Sequence, residues 1–252
     1  MTEVACGIDI GGSGIKGGLV DLTSGELIGK RTRIETPYPA TPEAVARTCA
    51  EILELLDIPK DVPVGVAMPA PLPQGIVPFM ANLDSSWEGV HAPSMFESYL
   101  HHPVTVLNDA DAAGLAEAVY GAAKGQDGLV IVTTLGTGIG SALIYDGVLV
   151  PNAELGHIEL DGYDAETRAS AAQRTRQDLG WTEWAERLQR YYSHIEMLFS
   201  PDLQVVGGGV SKHHEQFLPL LNLRAPIVPA QLFNHAGIVG AAVAADRAAK
   251  AK

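Results

Sequence analysis

Three glycine-rich turns constrain the fold of this chain most strongly, because each follows a short apolar run that reads as a β-strand. They are Gly11–Gly14, Gly136–Gly140 and Gly207–Gly209. Glycine carries no Cβ, so successive backbone N–H groups can point at one ligand and form an anion-binding concavity. One such turn is as easily a plain tight turn, but three of them at strand ends favour phosphate binding.

These turns differ from the two common phosphate motifs. The segment Gly136-Thr137-Gly138-Ile139-Gly140 does not fit the G-x-x-x-x-G-K-[ST] pattern. No turn has the strand–glycine–helix order with an acidic residue about 20 positions later, so a dinucleotide-binding fold is a poor match. Instead, the turns near Gly11 and Gly138 are each followed by a second strand. This repetition, roughly half the chain apart, predicts a duplicated strand–turn–strand unit.

The remaining pattern interleaves strands and helices, which predicts an α/β class. The predicted strands are 4–10, 17–22, 26–34, 62–68, 104–107, 129–135 and 203–206, with one more that follows Gly138 and ends at Tyr145. The predicted helices are 42–56, 110–120, 184–198 and 236–250. The first helix has an N-cap and a first-turn proline at Thr41-Pro42, followed by apolar residues at helical spacing. Residues 161–180 are polar and show only a weak hydrophobic periodicity, so no element is predicted there.

Composition excludes several classes of protein. Of 252 residues, 46% are hydrophobic and 19% charged, unlike a disordered acidic chain. There are 17 basic and 30 acidic residues, a net charge of −13, which argues against nucleic-acid and anionic-membrane partners. Two separated cysteines, Cys6 and Cys49, cannot build a disulfide framework or a four-thiolate zinc site. With no basic N-terminal region, and with Gly237–Ala245 too short to span a membrane, we expect a cytoplasmic protein.

Five motifs, in order along the chain, resemble those of ROK-family sugar kinases. They are the Asp9–Lys16 turn, Asn108-Asp109, the Leu135–Gly140 turn, Glu154-Leu155-Gly156-His157 and Gly207–Gly209. Within that family, Asn152–His157 and Pro229–Leu232 resemble the polyphosphate-dependent glucose kinases of actinobacteria. The resemblance covers nearly the whole chain.

The resemblance implies a two-lobed sugar kinase/actin/Hsp70-type fold, also called ribonuclease H-like, with a βββαβα-type core in each lobe. We expect an N-terminal lobe at 1–108 and a C-terminal lobe at 109–252, with the alternative that the last helix returns to the N-terminal lobe. The implied activity is transfer of a terminal phosphoryl group from inorganic polyphosphate, with ATP as a second donor, to the 6-hydroxyl of glucose. Mg²⁺ is the implied cofactor, and glycolysis the implied context.

Asp109 is the candidate catalytic base. It follows the apolar run 104–107 and Asn108 and opens a helical stretch. Local sequence alone favours a helix-capping role, because Asp is a good N-cap. The family resemblance reverses that order and implies that the Asp109 carboxylate accepts the proton of the attacking hydroxyl.

The resemblance also implies a set of sugar contacts whose amides, carboxylates and imidazole suit the hydroxyls of a hexose. They are Asn82, Asn108, Asp109, Glu154, His157 and Glu159. The alternative for each is a polar side chain on a surface loop. For Asn82 and Glu159 that alternative stays fully open.

The donor phosphates are expected to bind at the glycine turns. The residues are Asp9, Gly11, Gly12, Ser13, Gly14, Lys16, Thr137, Gly138, Gly208 and Gly209. Lys16 can neutralise a phosphate oxygen, and Asp9 is expected to hold Mg²⁺ through water. The alternative for Asp9, an ordinary buried acid at a strand end, is disfavoured because burying a lone carboxylate is costly.

One departure from the family pattern concerns the segment after His157. Many ROK kinases have a zinc site of one His and three Cys there, but residues 158–200 contain no cysteine. That zinc site cannot form, so we expect His157 to face the sugar, and what holds the loop is left open. The segment Arg168–Arg176 replaces the zinc loop. Its three arginines, together with Lys124 and Lys212, are candidates for a polyphosphate track, with a solvated helix face as the alternative.

Other functions remain as alternatives. The runner-up is a strictly ATP-dependent glucokinase or a glucomannokinase. A non-enzymatic sugar sensor of the repressor type is disfavoured, because the phosphate turn beginning at Asp9 leaves no room for an N-terminal DNA-binding helix pair. A phosphohydrolase or an actin-like scaffold is disfavoured by Glu154–His157. Apolar surface on the 184–198 helix suggests a homodimer.

Overall fold

The computed structural model describes residues 4–251 of the chain. The expectation that the chain start carries no secretory signal concerns mainly Met1–Glu3, which lie outside the described residues. Two compact units are found, one of residues 1–116 with 235–252, and one of residues 117–234. The division therefore falls after Ala116, inside a helix, rather than after Asn108. Within 4–251, no helix combines the length and apolar character needed to cross a membrane.

The first unit is built on a five-stranded mixed sheet. Its strands are β1 (Val4–Gly11), β2 (Gly14–Asp21), β3 (Glu26–Ile34), β4 (Val64–Met68) and β5 (Val104–Asn108). The order across the sheet is β3-β2-β1-β4-β5. β1, β2 and β3 form the predicted antiparallel meander, whereas β4 and β5 run parallel to β1. The carboxyl ends of β1, β4 and β5 therefore share one edge of the sheet.

Three helices follow strands of this sheet: α1 (Pro42–Leu55), α2 (Ala92–Leu100) and α3 (Asp109–Tyr120). α1 begins as predicted, with the Thr41 Oγ1 accepting a hydrogen bond from the Ala44 N–H at 3.3 Å. It buries Cys49 and Ile52 in the unit core. α2 has no counterpart among the predicted helices, because nine residues give too few turns for a helical period to stand out.

The second unit contains a sheet of the same topology. Its strands are β6 (Leu129–Leu135), β7 (Ile139–Tyr145), β8 (Val148–Val150), β11 (Leu203–Gly207) and β12 (Ile227–Pro229), and a separate hairpin is formed by β9 (Glu159–Leu160) and β10 (Tyr163–Asp164). The sheet order is β12-β11-β6-β7-β8, an antiparallel meander with two parallel strands added beside its first strand. The same description fits β1–β5, so the internal repetition predicted from the sequence is confirmed.

Three helices complete the second unit: α4 (Glu166–Ala169), α5 (Ala171–Arg176) and α6 (Trp181–Phe199). α6 packs the fully buried side chains of Trp184, Leu188 and Ile195 against the sheet, as its periodicity predicts. The polar residues 161–180 form β10, α4 and α5, elements too short for a hydrophobic period.

The last helix, α7 (Ala236–Lys250), belongs to the first unit. It packs on β1 and β4, where Gly7 and Gly65 lie directly against the backbone carbonyl groups of Ile238 and Ala241. A Cβ at either glycine would collide with that backbone, so both strands need glycine at these positions. The sequence-based alternative, in which the last helix returns to the N-terminal part, describes this arrangement.

Candidate active site

The first glycine turn joins β1 to β2 and brings an acid and a base together. Asp9 and Lys16 stand directly opposite each other in the ladder, and the Lys16 Nζ lies 3.2 Å from the Asp9 Oδ2. Gly12 and Ser13, at the tip, are exposed. The first unit thus places the predicted donor residues Asp9 to Lys16 on one hairpin.

Two further residues, absent from the predicted set, hold this turn. The Arg33 Nη2 donates a hydrogen bond to the Ser13 carbonyl oxygen at 2.7 Å, and the Thr36 hydroxyl donates one to the Gly11 carbonyl oxygen. Arg33 stands opposite Lys16 in the β2–β3 ladder, so the turn carries a second cation. The predicted antiparallel meander could have identified Arg33, since pairing β2 with β3 places Arg33 beside the turn.

The Asn108-Asp109 pair lies where β5 ends and α3 begins. The Asn108 Oδ1 accepts the N–H groups of Ala110 and Asp111 at 2.8 and 3.1 Å, so the buried Asn108 caps α3. Asp109 is half-buried, and its Oδ1 also accepts the Ala110 N–H at 2.8 Å. Capping of α3 therefore does not depend on Asp109 alone. Because the Asn108 Oδ1 caps the helix, the Asn108 Nδ2 is the atom that can donate hydrogen bonds to a ligand.

The first unit brings its predicted sites to one edge. A Cβ on Gly12 would lie 3.7 Å from the carbonyl oxygen of Asn82, so the exposed Asn82 sits beside the phosphate turn. β1 and β5 are separated only by β4, and neighbouring strands lie about 4.8 Å apart, which puts Asp109 roughly 10 Å from that turn. Donor and acceptor residues of this unit therefore lie within the reach of one phosphorylated sugar.

In the second unit, the loop Glu154–His157 is fixed to the start of β7. The buried Ser141 hydroxyl donates to the Ala153 carbonyl oxygen at 2.7 Å and accepts the Leu155 N–H at 2.9 Å. Gly156 lies against the carbonyl oxygen of Ile139, where a Cβ would collide. Because Ile139 directly follows the turn Gly136–Gly138, the predicted sugar loop and one predicted donor turn are neighbours.

The other predicted donor turn of this unit, Gly207–Gly209, lies beside the strand end that leads into the turn Gly136–Gly138. Gly207 pairs with Thr134 in the parallel β6–β11 ladder. Gly208 has φ of +83°, and a Cβ there would collide with the backbone of Leu135, so only glycine suits this position. Thr137 and Gly209 are both exposed next to this junction. The predicted donor residues of the second unit therefore form one continuous surface.

An acidic pair from α4 and the strand before it completes this surface. The His157 Nδ1 lies 2.8 Å from the Asp164 Oδ2, and the Glu166 Oε2 accepts the Ile139 N–H at 2.9 Å. Potential ligand atoms of His157, Asp164 and Glu166 lie within 4.8 Å of one another. Asp164 and Glu166 were not predicted as site residues, because residues 161–180 show no pattern that singles them out. Gly138 also lies against the Glu166 carboxylate.

The surroundings of this cluster raise the pKa of both His157 and Glu154, for different reasons. The hydrogen bond to Asp164 raises the pKa of His157, and nearby carboxylates add to that effect although burial opposes it. Burial raises the pKa of Glu154, with the charge of Glu166 adding to it and His157 opposing it. The cluster therefore favours a protonated His157 beside carboxylates that can accept hydrogen bonds from sugar hydroxyls.

The comparisons with known proteins identify the family of this chain. A family model described as "ROK family" matches residues 5–174. The chain belongs to the ROK family. The polyphosphate glucokinase of Mycobacterium tuberculosis (strain CDC 1551 / Oshkosh) is 49% identical to it over 239 residues, which is 94% of this chain and 89% of the relative.

Solved ROK structures confirm the predicted fold class. The inorganic polyphosphate/ATP-glucomannokinase from Arthrobacter sp. strain KM has a TM-score of 0.90 and 56% identity, covering 95% of this chain and 97% of the relative. The ROK family glucokinase from Streptomyces griseus, in complex with glucose and AMPPNP, has a TM-score of 0.81 and 26% identity, covering 97% and 99%. The two-sheet, ribonuclease H-like architecture is thus the family fold.

The structure also answers what holds the ROK loop after His157. Asp164 holds the imidazole, Glu166 ties α4 to β7, and Arg190 forms a two-pronged ion pair with Asp161 at 2.7 and 3.0 Å. Hydrogen bonds and an ion pair thus hold the loop that a zinc site holds in many other ROK kinases. The sugar candidate Glu159 is exposed and stands opposite Asp164 in the β9–β10 hairpin.

Asp9 provides a donor set that fits Mg²⁺. Its side chain is 18% exposed, and one of its oxygens lies close to Lys16. Mg²⁺ is commonly bound by one or two carboxylates together with waters and substrate phosphate oxygens, which a single strand-end Asp beside a phosphate turn can satisfy. When bound, Mg²⁺ would neutralise charge on the donor phosphates.

Proposed function

We propose that this ROK protein transfers the terminal phosphoryl group of inorganic polyphosphate, and also that of ATP, to the 6-hydroxyl of glucose. The observation that carries the proposal is 49–56% identity, over at least 94% of the chain, to a polyphosphate glucokinase and a polyphosphate/ATP-glucomannokinase. The sites described above support it, because each unit contains both a phosphate turn and polar residues suited to a hexose.

In this proposal, each unit supplies its own set of side chains suited to glucose. Asn82, Asn108 and Asp109 serve from the first unit, and Glu154, His157 and Glu159 from the second. We add Glu166 to this set, because its carboxylate lies within 4.8 Å of a ring nitrogen of His157. The charge of Glu166 also acts on the Glu154 carboxyl. Carboxylates accept hydrogen bonds from hydroxyls, while the Asn108 amide and a protonated His157 donate them. Such fixed partners orient the 6-hydroxyl for reaction.

The donor binds at the glycine turns. In the first unit, backbone N–H groups at Gly11, Gly12, Ser13 and Gly14 surround the phosphates, with Lys16 and Arg33 as the cations. In the second unit the contacts come from Thr137, Gly138, Gly208 and Gly209. Asp9 would hold Mg²⁺ through water. These groups stabilise negative charge that spreads over the phosphoryl oxygens during transfer.

Asp109 takes the proton. As the 6-oxygen of glucose bonds to the terminal phosphorus, the bond from phosphorus to the bridging oxygen of the donor breaks, and the hydroxyl proton passes to the Asp109 carboxylate. The shortened donor leaves with the bridging oxygen. A half-buried carboxylate that is not needed as the sole cap of α3 suits this task.

The test is a comparison of initial rates with glucose and Mg²⁺, using purified long-chain polyphosphate or ATP as donor. Glucose 6-phosphate formed from polyphosphate supports the proposal. Formation from ATP alone favours the runner-up, a strictly ATP-dependent glucokinase. Donor breakdown without sugar phosphorylation indicates a phosphohydrolase, and glucose binding without turnover indicates a sensor. Mannose is a second acceptor to include, because the Arthrobacter relative is a glucomannokinase.

Assembly and location belong to the same proposal. α6 presents exposed apolar side chains at Met197 and Leu198, which are 65% and 53% exposed and suit a homodimer contact. Light scattering during size-exclusion chromatography tests the homodimer directly. A cytoplasmic location, where glucose 6-phosphate enters glycolysis, agrees with the acidic composition and the scarcity of cysteine.

A further inference from the structure

A cavity of about 290 Å³ lies beside α4 in the second unit, and none of its lining residues is among those assigned to the reaction. Its walls combine apolar groups with charged ends. The lining residues are Leu160, Asp161, Tyr163, Ala165, Arg168, Ala169, Glu186, Arg187 and Arg190. Three arginines and two acidic residues are therefore among the residues that line this space, in a chain whose net charge is −13. A cationic excess in an acidic protein indicates a local anion site.

The three arginines that line the cavity differ in the contacts that their guanidinium groups already make. Arg190 is held by Asp161 through two hydrogen bonds, so these two charges offset each other. Arg168 lies over the ring of Tyr163 at 3.7 Å, and Arg187 donates to the Arg168 carbonyl oxygen at 3.3 Å. Among the ion pairs found within residues 4–251, none involves Arg168 or Arg187. Both guanidinium groups therefore retain N–H donors for an anionic ligand.

The segment that lines this cavity is hydrogen-bonded to the donor turn Gly136–Gly138. Glu166, at the start of α4, accepts the Ile139 N–H at 2.9 Å, and Ala172, in α5, donates to the Gly136 carbonyl oxygen at 3.0 Å. The arginine-bearing segment is thus bonded to both ends of the turn Gly136–Gly138. Arg168 is two residues beyond Glu166, about 3 Å further along the axis of α4 and on another side of that helix.

We propose that Arg168 and Arg187 bind phosphate groups of a long polyphosphate chain whose reacting end lies at the Gly136–Gly138 turn. This rests on the proposed function and adds a second contact point that a short donor cannot reach. Glu186 is the unpaired carboxylate of the lining and opposes the binding. The earlier candidate Arg174 lies over Trp181 at 3.6 Å, and Lys124 and Lys212 are exposed outside this cavity.

The experiment compares KM for long-chain polyphosphate with KM for tripolyphosphate and ATP. The double variant Arg168→Gln/Arg187→Gln should raise KM for the long chain roughly tenfold, since each charge-assisted contact is modest at a partly exposed site. Its KM for tripolyphosphate should change by less than about twofold. Glu186→Gln should lower KM for the long chain, an opposite sign that general damage to the fold cannot produce. Arg47→Gln, an exposed arginine on α1, is the matched control.

Salt dependence gives an independent readout. Neutralising two phosphate contacts should reduce the slope of log KM against log salt by about two for the long chain. Equal effects on all donors, or no effect on the long chain, overturn the proposal. If the wild-type chain phosphorylates no sugar, the proposed function fails. Calorimetric titration with long-chain polyphosphate then still tests the site: weaker binding to the double variant supports it, and unchanged binding refutes it.

Discussion

Glu117 is expected to carry a large part of the stability of the second unit. It lies near the end of α3, is 1% exposed, and its carboxylate accepts three backbone N–H groups. These come from Gln231 at 2.9 Å, Leu232 at 2.8 Å and Ala122 at 2.8 Å. The segment Pro229–Leu232, noted above for its family resemblance, is therefore held against α3 by a side chain more than a hundred residues earlier.

Replacing Glu117 by Ala removes the two oxygens that accept all three N–H groups, in a place that water reaches poorly. A hydrogen bond to a charged group contributes about 1.5 kcal/mol at the low end, so the loss of three such bonds costs about 4.5 kcal/mol. Each kcal/mol lowers the melting temperature of a protein of this size by about 2–4 °C, so the variant should melt roughly 10 °C lower. Glu51→Ala, at an exposed position on α1, is the control and should stay within about 0.5 kcal/mol of wild type.

Thermal unfolding followed by circular dichroism measures the effect, and hydrogen exchange locates it. Amide protection of Gln231, Leu232 and Ala122 should fall in Glu117→Ala, with little change at Cys49 in the other unit. A melting temperature within about 2 °C of wild type, or full protection of the Leu232 amide, would refute the reasoning, because either result means that these N–H groups do not depend on the carboxylate.

Three further predictions concern the site. Asp109→Asn should lower kcat by about 10²–10⁴ with glucose affinity nearly unchanged, and near-normal turnover would remove Asp109 from the role of base. Glu154→Ala should weaken glucose binding about tenfold in calorimetry, and unchanged affinity contradicts the assignment. Hydrogen bonding to Asp164 raises the pKa of His157 above 6.5, so the pair stabilises fully below that pH and loses its effect as pH rises through the raised pKa. The melting-temperature difference between wild type and Asp164→Asn should therefore be present at about pH 6 and absent at about pH 9, and an equal difference at both pH values would falsify this pairing.

Much of the fold follows from local pattern. Short apolar runs predict β1, β4, β6 and β11, and helical spacing predicts α1 and α6 within a few residues. The repeated strand–turn–strand signal anticipated two sheets of one topology. The motif order along the chain was enough to identify the family.

The site required tertiary structure. The Glu166 carboxylate accepts the Ile139 N–H, and the Glu117 carboxylate accepts the Leu232 N–H, across sequence separations that no periodicity encodes. The last helix joins the first unit because two glycines in distant strands allow its backbone to approach. The sequence alone determines which residues favour strand, helix or turn, because those preferences are local. Only the folded chain decides which carboxylate reaches which N–H group, because that depends on distances between segments brought together by packing.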